Sequence, residues 1–132
     1  MICSSNVLEM VDKGLLTRTD AENVVLGSAI CFDECWNKAN RIINEKVFSD
    51  ERNKFLWGLL VDMKKEDLVV DVVSLWEYAL RKYTQIQNPT ELAVYICEVT
   101  MVVAYSGYDK VLSALLDYYT REIRYNGRKQ KY

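Results

Sequence analysis

The stretch Ala21–Gly27, with the sequence AENVVLG, poses the main question about the fold because it places a glycine directly behind a run of apolar residues. The residues around it have the spacing of a helix, and a glycine within a helix costs about 1 kcal/mol relative to alanine. The whole chain has only 5 glycines and 1 proline. Gly27 therefore lets a neighbouring backbone come close, ends the helix, or has no structural role.

The composition outside this stretch predicts a single all-α domain spanning residues 1–132. A chain of this length is the size of one domain, and 50% hydrophobic with 27% charged residues is ordinary for a globular protein. A sandwich or barrel needs a turn signal roughly every 8–12 residues, and so few glycines and prolines do not supply them. Helices are therefore expected throughout.

Capping signals predict where four of these helices begin. The signals are Thr19 with Glu22, Ser49 or Asp50, Ser74 with Glu77 (or Asp71 three residues earlier), and Asn88–Pro89 with Glu91. Between them, apolar residues recur at the three- and four-residue spacing of helices, with a break near Asp33. The β-branched stretch Leu68–Val73 is predicted to be a short extended connector. Residues 19–87 thus form a compact head of about four to five helices.

Residues 88–125 are predicted to form a long antiparallel helical hairpin. Two apolar stripes flank a turn at Ser106–Gly107, and each arm has about 16–18 residues. The polar stretch Arg81–Asn88 separates the hairpin from the head. Tyrosine offers amphipathic contact area, and this segment has six: Tyr95, Tyr105, Tyr108, Tyr118, Tyr119 and Tyr125. The hairpin is a protein–protein surface on one interpretation, and packs on the chain's own core on the other.

The absence of histidine excludes most catalytic and metal sites. Without histidine there is no Ser-His-Asp or Cys-His nucleophile pair, and a zinc site would need the 4 cysteines to converge without any CxxC motif. Adjacent acids such as Asp50–Glu51 and Glu66–Asp67 do not face each other on a helix. We therefore expect no enzyme activity, no cofactor and no metal.

Charge and targeting signals predict a cytoplasmic protein without a membrane span. The N-terminus lacks the basic and apolar regions of a signal peptide, and no stretch is apolar enough to cross a bilayer. The cysteines are expected to be reduced thiols. The net charge is -2, but basic residues gather near the end of the chain, including the tail of residues 126–132: Arg121, Arg124, Arg128, Lys129 and Lys131. They form either a solvated helix end or a weak nucleic-acid contact.

The stretch of residues 21–82 resembles the N-terminal domain of DnaB-type replicative helicases. That family's signature begins with Ala-Glu, a few variable residues and Leu-Gly, and later has Val/Ile-Asp-x-Val/Ile-Thr/Ser-Leu. The first part is matched by Ala21, Glu22, Leu26 and Gly27, and the later positions by Asp33, Trp36, Phe48, Val70, Asp71, Val73, Ser74 and Leu75. The order and spacing hold over residues 19–125, where Tyr95–Ile96 falls at the family's Tyr-Leu step. By this resemblance Gly27 is a packing glycine.

The sequence departs from the family pattern in two places. The family has a glycine pair before its hairpin where this chain has Asn88–Pro89–Thr90, and the polar hairpin tip is replaced by Val102–Tyr108. The motor's phosphate-binding motif, GxxxxGKS or GxxxxGKT, is absent from the 132 residues, and the fragment NGRKQ at 126–130 lacks its first glycine and hydroxyl residue. ATP hydrolysis is therefore not expected of this chain.

The resemblance implies a non-catalytic scaffold that mediates oligomerisation and contacts a primase or a helicase loader. In the family, two copies pair through their hairpins, and the dimers assemble into a ring, a trimer of dimers, above the motor. Carried over to this sequence, the predicted interface is Tyr95, Val99, Val102, Tyr105, Tyr108, Leu112, Leu115 and Tyr119.

Two other functions fit the same helical design. The chain could be a stand-alone adaptor resembling the helicase-interaction domain of primases, which would bind helicase collars without pairing with itself. It could also be a phage or mobile-element product that joins, caps or blocks a host helicase ring. A third class, nucleic-acid binding through the basic tail, predicts binding that falls steeply with salt.

Overall fold

The structure is a computed structural model that describes residues 7–130 and the side chains of residues 7–128. In this range the chain forms helices and no strand, which confirms the all-α prediction. The helices are α1 (Val7–Asp12), α2 (Arg18–Cys31), α3 (Asp33–Ile42), α4 (Glu51–Lys65), α5 (Val72–Lys82), α6 (Pro89–Met101) and α7 (Tyr108–Gln130), with a 3-10 turn at Glu45–Val47.

Helix α2 lies at the centre of the domain. It packs against α3, α4, α6 and α7, and every residue from Ala21 to Ile30 except Asn23 is buried. A helix that is apolar nearly all round can be stable only when other helices cover it on all sides. The stretch Ala21–Gly27 is therefore the core around which the other elements are arranged.

The helix starts agree with the predicted capping signals at two sites and differ at two. Asn88 caps α6 by accepting a hydrogen bond from Glu91 N at 3.0 Å, and Asp50 caps α4. The predicted Thr19 start is wrong, because Thr17 caps α2 through a 3.1 Å bond from Asp20 N. Ser74 does not cap α5 either. The cap is Asp71, the alternative, with Ser74 as the reciprocal member of its capping box.

Helices α6 and α7 follow the predicted order but not the predicted hairpin packing. Both pack on α2, and α6 also packs on α5 while α7 packs on α1. Helix α6 has 13 residues and α7 has 23, so the arms are unequal. The head-plus-hairpin arrangement is therefore not confirmed, because one apolar face of each arm packs on the central helix.

The connector between α6 and α7 needs a glycine at its end. Gly107 has a φ of +77°, a conformation that L side chains rarely adopt. A Cβ placed there would lie 2.1 Å from Leu8 Cδ2 on α1. The backbone angle therefore demands glycine, whereas the overlap with the end of the Leu8 side chain alone could be relieved by rotation of that side chain.

The predicted basic tail is largely helical. Residues 126–130 are the end of α7, and residues 131–132 lie outside the described part of the chain. From residue 120 to residue 128 every side chain of α7 is exposed. The last turns of α7 therefore extend beyond the core.

The C-terminus of α4 carries a conformational cost at Asp67. This residue has a φ of 58°, the left-handed region that favours glycine. Its neighbours close a Schellman motif, in which Leu68 N donates to Met63 O at 3.0 Å. We expect Asp67→Gly to raise the free energy of unfolding by about 0.5 kcal/mol and Asp67→Ala to lower it by about 1 kcal/mol. Urea denaturation of the unmodified chain and the two variants measures their free energies of unfolding. An alanine variant as stable as the glycine variant would contradict this prediction.

Candidate functional site

Gly27 lies where α2 crosses α6 at close range. A Cβ on this residue would be 2.1 Å from Val99 O and 3.3 Å from Thr100 Cα. The backbone of α6 occupies the space that any side chain at position 27 would need. The prediction that Gly27 lets a neighbouring helix come close is therefore confirmed, and the neighbour is α6.

Two further contacts join α2 to the connector and to α7. Ser28, which is fully buried, accepts a hydrogen bond on its Oγ from Ala104 N at 2.9 Å. The buried Tyr108 hydroxyl donates to Val25 O at 3.0 Å. Burial raises the pKa of Tyr108 far above its usual value, so the hydroxyl stays a donor. These bonds fix where α6 ends and α7 begins relative to the central helix.

Glu22 is a fully buried carboxylate that holds the start of α4. Its Oε2 accepts from Ser49 N at 3.0 Å and from the Ser49 hydroxyl, and its Oε1 accepts from Asp50 N at 3.3 Å. Arg18, one turn earlier on α2, places its Nε 3.3 Å from Oε2 as an ion pair. A buried carboxylate is stable only when its lone pairs are satisfied in this way.

Asn53 and Tyr95 extend this network from α4 to α6. The fully buried Asn53 donates from Nδ2 to Glu22 Oε1 at 3.2 Å and to Asn23 Oδ1 at 3.1 Å. The Tyr95 hydroxyl donates to Asn53 Oδ1. Burial raises the pKa of Tyr95 to about 12, so the phenol stays protonated, and a donor, well into the alkaline range. The network ties α2, α4 and α6 together, and within it the buried Arg18 Nε lies 3.3 Å from Glu22 Oε2 as an ion pair without a hydrogen bond.

Arg18 also contacts two segments outside α2. Its Nη2 donates to Val47 O at 3.0 Å, and its Nη1 lies 2.7 Å from Glu122 Oε2 on α7. A single guanidinium thus contacts the central helix, the segment before α4 and the outer part of α7. Nothing in the sequence pattern singled out Arg18.

The other residues that match the family signature have structural positions of two kinds. Ala21, Leu26, Trp36 and Phe48 are buried, and Trp36 and Phe48 both contact the Trp57 ring, with centroids 4.9 Å and 5.5 Å away. Asp33 and Asp71 are at the surface. Asp33 Oδ1 pairs with Lys64 Nζ at 2.7 Å, and Asp71 caps α5.

Most of the predicted interface residues belong to the chain's own core. Five of the eight are buried by α2 and its neighbours: Tyr95, Val99, Tyr108, Leu112 and Leu115. Val102 and Tyr119 are half-buried, and Tyr105 is exposed while its ring packs edge-on to Phe32 at 5.1 Å. In this conformation the five buried side chains face their own chain, so the intramolecular alternative describes them.

A different face of α6 is exposed and apolar. Val94, Cys97 and Met101 lie on the side opposite the buried Tyr95, Ile96 and Val99. Val94 is 51% exposed and Met101 is 59% exposed. We call these three residues the α6 stripe. Their spacing of three and four was visible in the sequence, but the same helix has a second apolar face, and periodicity alone does not say which one is covered.

The described cysteines are free thiols: Cys31 and Cys97 are exposed and Cys35 is buried. Burial raises the pKa of the Cys35 thiol to about 11. Within residues 7–130, no cluster of three or more cysteine, aspartate or glutamate side chains has the arrangement of a metal site. None of the described helices is long and apolar enough to span a membrane. Cys3 lies outside the described residues.

These observations define an all-helical domain whose buried polar residues fix helices in place. The chain belongs to the DnaB-like helicase N-terminal domain family, whose sequence model matches residues 15–124. The match covers most of the chain, including α2 to α6 and the greater part of α7. Among curated proteins and among solved structures, none matches the chain significantly.

Proposed function

We propose that the chain is a non-catalytic scaffold of a replicative helicase, through which copies pair with each other and a primase or a helicase loader is contacted. The family membership supports the helicase context. The observation that carries the pairing proposal is the α6 stripe, which leaves three apolar side chains of one helix without cover from the described part of the chain.

The α6 stripe has the form of a helix-pairing surface. Its residues recur at steps of three and four over about 10 Å of helix, and a second helix could lie along them. Tyr105, in the connector that follows, adds an exposed ring whose hydroxyl donates to Glu34. Removal of such an exposed apolar stripe from water by a partner stabilises the complex. We therefore place the dimer contact on the outside of α6, and not on the residues that face α2.

The pairing is tested by light scattering over a concentration series. We expect the unmodified chain to show twice its monomer mass as concentration rises. The double substitution Val94→Glu and Met101→Glu should weaken dimerisation at least tenfold, because burying a carboxylate without a partner is costly. The helical circular dichroism should be unchanged, since both side chains lie on the surface.

A matched control places the same charges elsewhere. Leu15 and Val69 are also exposed large apolar residues, and neither lies on α6. Leu15→Glu with Val69→Glu should leave the mass unchanged. A chain that stays monomeric at every concentration would refute self-pairing, and a control variant that dissociates equally would refute the α6 stripe as its site. Capture of primase or loader by the same variants tests the second half of the proposal.

A further inference from the structure

The outer part of α7 carries a line of arginines on an exposed helix. Arg121, Arg124 and Arg128 follow one another at steps of three and four residues, which places them on one side of the helix. The rise of a helix spreads them over about 10 Å. All three side chains are exposed, because α7 extends beyond the core from residue 120 onward.

These cations have no carboxylate partner among the described side chains. Arg121 lies over the Tyr118 ring at 5.6 Å from guanidinium carbon to centroid, and none of the three arginines makes an ion pair within residues 7–128. The acids nearest in sequence are Asp117 and Glu122, and Glu122 is held by Arg18 at 2.7 Å. Three arginines against Asp117, which lies one turn before Arg121 on the same face, leave the local charge positive although the net charge of the chain is -2. At physiological salt, charges are screened beyond about 8 Å, so a ligand at this surface interacts with the local charge and little with the net charge of the chain.

We propose that this face binds the backbone of single-stranded nucleic acid. Guanidinium groups match phosphate oxygens in a two-pronged geometry, and three of them in a line can follow successive phosphates. Tyr125 lies on the same side of the helix between Arg124 and Arg128, and its side chain is 63% exposed. A cationic track with an aromatic ring on which bases stack is the pattern of single-strand binding. This inference does not rest on self-pairing through the α6 stripe.

The geometry sets the strength of the interaction and its dependence on salt. With about three phosphates neutralised, the logarithm of the single-strand affinity falls with the logarithm of salt concentration at a slope near -2. Between 50 mM and 200 mM salt, the affinity should therefore fall about 20-fold. A surface this small discriminates little between sequences, since it contacts the backbone and base faces only.

The test is fluorescence anisotropy of a labelled oligothymidine with the full chain, at three salt concentrations. The triple substitution Arg121→Gln, Arg124→Gln and Arg128→Gln should weaken binding at least tenfold and flatten the salt slope. The matched control removes three other exposed cations that make no described ion pair: Arg41→Gln, Lys46→Gln and Lys65→Gln. It changes the net charge equally and should keep the affinity within about threefold.

Further measurements distinguish single-stranded nucleic acid from other negatively charged ligands. Tyr125→Leu should weaken oligothymidine binding by about three- to tenfold, the size of one stacking contact. Equal loss in the control and the arginine variant would overturn the proposal, as would salt-independent binding. Tighter binding to a DNA duplex of the same length, or to vesicles containing phosphatidylserine, would replace the single strand with another partner. Unchanged binding by both the arginine and tyrosine variants would place the contact elsewhere.

Discussion

Gly27→Ala is expected to lower the free energy of unfolding by about 3 kcal/mol and the melting temperature by about 10 °C. The added Cβ would lie 2.1 Å from Val99 O, and this atom belongs to the backbone of α6, so no side-chain rotation relieves the overlap. The two helices must move apart, which loosens the core contacts on both sides of the crossing. This cost exceeds the gain of about 1 kcal/mol that alanine normally brings to a helix. Thermal and urea denaturation followed by circular dichroism measure the change.

Gly58 supplies the matched control for this substitution. It lies within α4, and a Cβ at that position would meet nothing within 4 Å. Gly58→Ala should therefore raise the free energy of unfolding by about 1 kcal/mol, the ordinary helix-propensity effect. If both alanine variants were stabilised alike, α2 and α6 would not approach each other as closely as the structure has them.

Glu22→Gln is expected to cost about 3 kcal/mol of stability although it changes only one oxygen to an amide nitrogen. Both carboxylate oxygens of Glu22 accept hydrogen bonds, from Ser49, Asp50 and Asn53. An amide group turns one acceptor into a donor that faces other donors. The substitution also removes the negative charge that pairs with Arg18. The Arg18 side chain is only 20% exposed, so water cannot fully replace the lost partner. Urea denaturation at neutral pH gives the difference directly.

The same isosteric change at the surface serves as the comparison. Glu45 is exposed in the turn before α4, and Glu45→Gln should alter stability by no more than about 0.5 kcal/mol. A small effect at Glu22, similar to that at Glu45, would mean that the carboxylate does not hold the start of α4. In that case Asn53→Ala should also have little effect on the free energy of unfolding. If the network forms as described, Asn53→Ala should lower it by about 2 kcal/mol.

The sequence was sufficient for features that depend on neighbouring residues. The all-α class followed from the scarcity of turn residues, and the start of α6 followed from Asn88 and Pro89, because a cap and a first-turn proline act within a few residues. The start of α2 was placed two residues late, at Thr19. Thr17 has the same capping chemistry, but the residue three positions after it is an aspartate, Asp20, and not the glutamate of a capping box. Local patterns identify candidates of equal quality, and packing selects among them.

The candidate interface shows the limit of such patterns. The apolar spacing of α6 and α7 correctly indicated faces that avoid water. It did not indicate what covers them, because a face buried by α2 and one buried by a second chain have the same periodicity. The structure places Tyr95, Val99 and Leu112 against their own chain and leaves Val94 and Met101 outside.

By itself, the sequence determined the helical class, the starts of α2, α4, α5 and α6 to within a few residues, and the relation to the DnaB-type domains through Ala21, Glu22 and Gly27. Only the tertiary structure showed which contacts Gly27 and Glu22 make. Gly27 admits the α6 backbone, and Glu22 holds a segment 27 residues away. Both roles join parts of the chain that are distant in sequence, and such contacts exist only after the helices have packed around α2.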